Sequence, residues 1–140
     1  MKRHWIEFHP KWKHSPMTFW VYTPADGKPW PEARAFIPPA PLPVAGEGYP
    51  MFHVELDLVL FEFASLRELR VCIEVLSRKV LPTTAQLIRE SGRREFSNQV
   101  WLGRLPKGTH SLRYRKKAMP YLKQALADFE NTVPNQRHEA

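Results

Sequence analysis

The stretch MFHVELDLVLFEFASLRELRVCIEVLSRK, residues 51 to 79, brings two hydrophobic periodicities together at one marked boundary. From residue 52 to 60 the even positions are Phe52, Val54, Leu56, Leu58 and Leu60, while His53, Glu55 and Asp57 take odd ones. That period of two is what a half-buried strand requires. From Val59 to Phe63 the odd positions turn apolar as well, which reads as one long strand passing from an exposed part of a sheet to a part covered on both sides. Burying its five large side chains contributes about 10 kcal/mol gross, before chain entropy is subtracted.

Ser65 with Glu68 forms a capping-box pattern: the hydroxyl accepts from an amide of the first turn and the carboxylate reaches back to the cap's own amide. A helix is therefore expected from 66 to 79, with Leu66, Leu69, Ile73, Leu76 and Val80 on its inner face and Arg67, Arg70, Glu74 and Arg78 outside. Pro82 ends it. Cys72, set mid-helix among Val71, Ile73 and Val75, reads as a small buried apolar residue, because nothing near it in sequence generates a thiolate.

Upstream, residues 3 to 9 and 17 to 23 have strand composition, and with 51 to 63 they predict a small antiparallel sheet. Trp5, Trp12 and Trp20 then serve as packing residues, with base stacking as the sharper alternative. Residues 24 to 50 carry prolines at 24, 29, 31, 38, 39, 41, 43 and 50, which excludes a regular helix or an internal strand. The interspersed Trp30, Phe36, Ile37, Leu42 and Val44 indicate an extended arm that lies on the domain or on a partner subunit. A proline-rich ligand for another protein is the rival reading of this arm.

Downstream, Thr83 or Thr84 caps AQLIRES, which Gly92 stops; Ser97 or Asn98 caps a turn or two around Trp101. Ser111 caps a last helix. On a helical wheel Tyr114, Ala118, Tyr121, Leu122, Ala125, Leu126 and Phe129 share one arc, Arg113, Lys116, Lys117 and Lys123 take the opposite one, and Arg115 falls at the apolar edge. Pro120 lies on the polar side. Residues 1–130 thus form one α+β domain, a sheet of about three strands against an amphipathic helix and a C-terminal helix, with 24–50 as its arm and 131–140 as a flexible tail.

The net charge of +7 is unevenly placed. Residues 89 to 123 hold Arg89, Arg93, Arg94, Arg104, Lys107, Arg113, Arg115, Lys116, Lys117 and Lys123 against Glu90 and Glu95, a local +8, so the rest of the chain carries −1. A field so concentrated attracts polyanions. One cysteine excludes a disulfide framework and a cysteine-based zinc finger. With no apolar run long enough for a membrane span and no signal-peptide pattern, the expected location is the cytoplasm.

Two constellations carry possible chemistry. The first is the basic set Arg93, Arg94, Arg104, Lys107, Arg113, Arg115, Lys116, Lys117 and Lys123, suited to tracking phosphates. No motif chooses between duplex, single strand and RNA, though Arg104 near Trp101, with Arg113 and Arg115 around Tyr114, interleaves cations with aromatics and suits single strands or RNA slightly better. The second is His53, Glu55 and Asp57, which alternation would place on one strand face about 7 Å apart as a candidate metal site. His4, His9 and His14 recur every five residues and read as surface residues. No phosphate-binding glycine loop, GxSxG or catalytic triad pattern is present.

With WLGRLP and RYRKKAMPYLKQALADF in view, the C-terminal half, together with the strand and helix before it, resembles small uncharacterised bacterial proteins that accompany mobile genetic elements. That resemblance implies no activity and assigns no residues. The expectation is a non-enzymatic, cofactor-free module that binds nucleic acid, DNA or RNA. The alternative is a protein-interaction or inhibitor module meeting an acidic protein surface, and a homodimer burying the arm would leave only the charge to explain. A metal-dependent nuclease joining the His53 triad to the basic face is the third reading.

Overall fold

The computed structural model describes residues 2–92, 100–106 and 108–136. Its sheet has the order β1-β4-β5: β1 (Lys2–His9) pairs antiparallel with β4 (Tyr49–Leu56), and β4 pairs antiparallel with β5 (Val59–Phe63). A second, two-residue ladder joins β2 (Thr23–Pro24) to β3 (Phe36–Ile37). The helices are α1 (Thr18–Val21), α2 (Leu66–Leu76), α3 (Thr84–Ser91), α4 (Trp101–Arg104) and α5 (Leu112–Thr132). The α+β class and the three-strand antiparallel sheet agree with the sequence reading.

The expected single strand over 51 to 63 is instead a hairpin. Leu56 faces Val59 across the two-residue turn Asp57-Leu58, both of which take positive φ (51° and 71°). A two-residue turn shifts the inward parity from even to odd. Phe52, Val54 and Leu56 on β4 thereby face the same core as Phe61 and Phe63 on β5, all of them buried. The change of parity that reads in sequence as burial on both faces is the reversal of the chain.

The expected strand over 17 to 23 is also replaced, by α1 and its flanks. Helical spacing puts Met17 with Val21 and Thr18 with Tyr22 on one side, and all four are buried. The intended third strand of the sheet is therefore supplied by the second half of the hairpin.

α5 packs on the even face of β4, while α2 packs against β5 and α5. Phe129 of α5 meets Phe52 at 5.0 Å between ring centres. Ala118, Leu122, Ala125 and Phe129 form the buried stripe of α5, with Tyr114, Tyr121 and Leu126 half-buried at its margins. α2 ends at Leu76, three residues short of the expected boundary and well before Pro82. α3 matches its expected limits, with the Thr83 hydroxyl accepting from Gln86 N–H at 3.0 Å and Gly92 left-handed at its end. The Ser97 or Asn98 cap lies outside the described residues, and Val100 precedes α4.

The arm lies on its own domain. Trp30 and Phe36 pack against Trp12, and the Trp30 indole N–H donates to Tyr22 O at 3.0 Å. Before β4, Gly48 takes a φ of 108°, and a Cβ there would meet His9 O at 2.5 Å, so only glycine lets the arm enter the sheet beside the end of β1. The chain after α5 is seated through residue 136: Gln136 is buried, its Oε1 accepts from Leu66 N–H at 2.8 Å, and its carbonyl accepts from Arg70 at 2.6 Å. Of the tail expected to fray, residues 137–140 lie outside the described residues. Among the described residues no helix is long and apolar enough to cross a membrane.

Candidate nucleic-acid interface

The described basic residues expected to act together separate into four groups. Arg113, Lys116 and Lys123 are exposed on α5 and form no ion pair among the described residues. Lys117 is also exposed, but its ammonium lies 2.5 Å from the Asp57 carboxylate and holds that carboxyl below the usual carboxylate range. Arg104 sits on α4, at the mouth of a separate pocket beside β5. Arg93, Arg94 and Lys107 lie outside the described residues.

Arg115 is a correction. It is buried, with its Nε donating to His110 O at 3.1 Å and its Nη1 donating to Leu76 O and Arg78 O at 3.1 and 2.7 Å. Helix ends leave their last carbonyls without intrahelical partners, and a cation suits that end of the helix. Arg115 therefore closes the C-terminus of α2 and is unavailable to a phosphate. Its place at the apolar edge of the α5 wheel was the signal.

Beside it lies a groove of about 390 Å³ between the end of α2 and the first half of α5. Lys79, Lys116 and Lys123 stand around it, Leu76, Leu112 and Met119 floor it, and among the described residues no carboxylate lines it. Arg78 also borders the groove, but Glu74 and Glu90 hold its guanidinium, at 2.8 and 2.9 Å. Lys79 was missed in sequence because it belongs to the preceding helix segment, and only the packing of α2 on α5 brings it to Lys116. A lysine-rimmed concavity of this kind fits an anion with an apolar part.

The second expected site does not form. Asp57 lies in the hairpin turn, away from the strand face that carries His53 and Glu55. Glu55 is engaged by Arg3, with Nε to Oε1 at 2.5 Å. His53 is buried beneath Trp5, whose ring stacks on it at 5.0 Å and 5°, and it lies 3.6 Å from each of the Glu7 and Glu62 carboxylates. Among the described residues no group of three histidine, cysteine or acidic side chains is placed to hold a metal ion. The triad reading of His53, Glu55 and Asp57 is overturned by the turn that separates its members.

Of the histidines read as surface residues, His4 is half-buried and joins β1 to α5, with Nδ1 at 2.6 Å from the Tyr121 hydroxyl and Nε2 at 2.8 Å from Asp128. Cys72 is buried as expected, and burial pushes its thiol up to about 12, which leaves no thiolate near neutrality.

Glu68 is more than half of a capping box. Ser65 Oγ accepts from Glu68 N–H at 3.3 Å, as expected of the cap. The carboxylate, however, accepts from Ala64 N–H at 2.9 Å rather than from the cap's own amide, and also from Thr18 Oγ1 at 2.9 Å and from Ser15 Oγ. Tyr22 in turn donates its hydroxyl to Ser65 Oγ at 2.6 Å. Burial is the largest influence on Glu68 and pushes its carboxyl up to about 7 against the three hydrogen bonds that lower it.

No protein-family model, curated protein or solved structure matches the chain.

Proposed function

We propose that the protein is a non-enzymatic nucleic-acid-binding module that receives phosphates along the groove between α2 and α5. The observation that carries this reading is the groove itself: Lys79, Lys116 and Lys123 converge on one concavity that, among the described residues, no carboxylate lines. Arg113, one turn before Lys116 on the same exposed side of α5, extends the track. Neutralising three or four phosphates releases counterions, so the logarithm of affinity should fall with the logarithm of salt at a slope of about −2 to −4.

The aliphatic floor supports the rival reading. Leu112 is 49% exposed beside Leu76 and Met119, and such a strip with a lysine rim also suits an acidic amphipathic helix of a partner protein. Fluorescence anisotropy with labelled single-stranded DNA, duplex DNA and RNA at two salt concentrations separates the two readings. Salt-steep binding that weakens when Lys79, Lys116 and Lys123 are changed to glutamate supports the nucleic-acid reading and ranks the three polymers. No binding at low salt removes it and directs the search to an acidic protein.

A further inference from the structure

The sheet has two outer edges, and they differ in chemistry. The edge strand β1 carries Lys2, Arg3, His4, Glu7 and His9, the kind of charged sequence that discourages another strand from pairing. The opposite edge strand β5 reads VLFEF, with Glu62 its one charge. Leu58 and Leu60, at the start of that edge, are 98% and 46% exposed.

In a two-residue hairpin the residues flanking the turn exchange both backbone hydrogen bonds, and bonding then alternates along the pair. From the Leu56–Val59 closing pair, Val59, Phe61 and Phe63 direct their backbone groups to β4. Leu60 and Glu62 direct theirs outward. Among the described residues nothing pairs with that edge.

Next to it a pocket of about 230 Å³ opens between β5, the Pro16-Met17 corner and α4. Met17, Phe63, Cys72, Trp101 and Leu105 form its apolar wall. A cavity of about 150 Å³ accepts a benzene ring, so this one admits a leucine or phenylalanine side chain.

We infer that the free edge of β5 is a docking site for an extended segment of a partner protein, which adds as a fourth strand and seats one aliphatic or aromatic side chain in the adjacent pocket. A strand supplies what this edge lacks. Its backbone meets the outward N–H and C=O groups of Leu60 and Glu62, and an apolar side chain excludes water from the pocket wall. A docked helix would leave the outward backbone groups unmatched, because its own are internally bonded. Main-chain bonds along an edge with a side-chain pocket beside it are the physical basis of strand addition.

The test uses the full chain, labelled with nitrogen-15, and acetylated, amidated pentapeptides Thr-Val-X-Val-Thr with X as leucine, phenylalanine or alanine. The expected result is that the Leu60 and Glu62 amides shift and exchange more slowly with solvent as peptide is added. Leucine or phenylalanine at X should bind at least about tenfold more tightly than alanine. N-methylation of the peptide's pairing amides should abolish binding with the protein unaltered. Leu60→Pro should do the same from the protein side, since proline on an edge strand removes only the outward N–H. The inference is overturned if the Leu60 and Glu62 amides stay unmoved at millimolar concentrations of every peptide, or if binding ignores N-methylation. It is equally overturned if sedimentation shows a dimer whose Leu60 and Glu62 amides are already protected, because the edge then belongs to a second copy of the chain.

Discussion

α2 is held at both ends by buried ionisable side chains, and the two ends are not built alike. At the N-terminal end the Glu68 carboxylate gathers Ala64 N–H and the hydroxyls of Ser15 and Thr18, tying α1 and the sheet to the first turn. At the C-terminal end Arg115, from another helix, gives its protons to Leu76 O and Arg78 O. Each sign is the favourable one for its end of the helix. The difference lies in what each charge does when its surroundings exclude water. A guanidinium stays charged and must find acceptors, whereas a carboxyl can take up a proton and become neutral. Burial leaves Glu68 near that point, with its carboxyl at about 7.

Removing the Arg115 end should have the larger effect. In Arg115→Met the stem is replaced by a side chain of similar bulk, but Leu76 O and Arg78 O lose their donor in a buried place. Each unsatisfied carbonyl costs about 1 to 3 kcal/mol, so the expected loss is about 3 to 4 kcal/mol in urea-induced unfolding. A loss below about 1 kcal/mol would show that water or a neighbour replaces the guanidinium, and the two ends of α2 would then be equivalent.

The Glu68 end should respond to pH instead. Its folded value is raised from the ordinary 4.5 to about 7, so the native state holds a proton that the unfolded chain has released. Its contribution is therefore fully present below pH 4.5 and is lost as pH rises through 7, a span worth roughly 3 kcal/mol. Glu68→Gln mimics the protonated acid: the amide oxygen accepts where Oε1 does, and the NH2 donates towards Thr18. Stability measured from pH 5 to 8 should fall in the natural protein relative to Glu68→Gln, which should remain flatter over that window. Parallel profiles would mean that Glu68 stays ionised in the fold. Glu68→Leu, which strands Ala64 N–H and both hydroxyls, should cost about 2 to 3 kcal/mol at pH 5.

The same two residues show how far the sequence could be read. Arg115 stood out on the wheel as the cation at the apolar edge, a position that already separated it from Arg113, Lys116 and Lys117. Ser65 and Glu68 were legible as a cap because that signal is local; Ser15 and Thr18, some 50 positions away, were not. That distant contact is also why residues 17 to 23 misled. Their composition favours a strand, but the bonds from Ser15 and Thr18 to Glu68 and the burial of Tyr22 hold them as a helical turn, tertiary structure overriding propensity. The hairpin was visible in principle, since the inward parity changes across two residues, yet Asp57-Leu58 lacks the glycine that normally marks such a turn. Missing it also produced the false triad of His53, Glu55 and Asp57. The groove could be only half seen: the lysines of α5 share a helix face, but Lys79 joins them through packing alone.

The smallest expected effect on stability comes from the residue next to Arg115. Lys116 carries the same kind of charge one position along α5, but it is exposed and pairs with nothing among the described residues. Lys116→Gln together with Lys123→Gln should change unfolding free energy by no more than about 0.5 kcal/mol, the ordinary range for surface substitutions. If the groove takes phosphates, the same pair should make the salt dependence of nucleic-acid binding shallower by about 1.4 to 1.8 units of logarithmic slope. A fold left intact with binding weakened would assign neighbouring cations on one helix to separate tasks, Arg115 to the end of α2 and Lys116 to a ligand. A large loss of stability from Lys116→Gln would break that division, because it would place Lys116 in the same internal scaffold as Arg115.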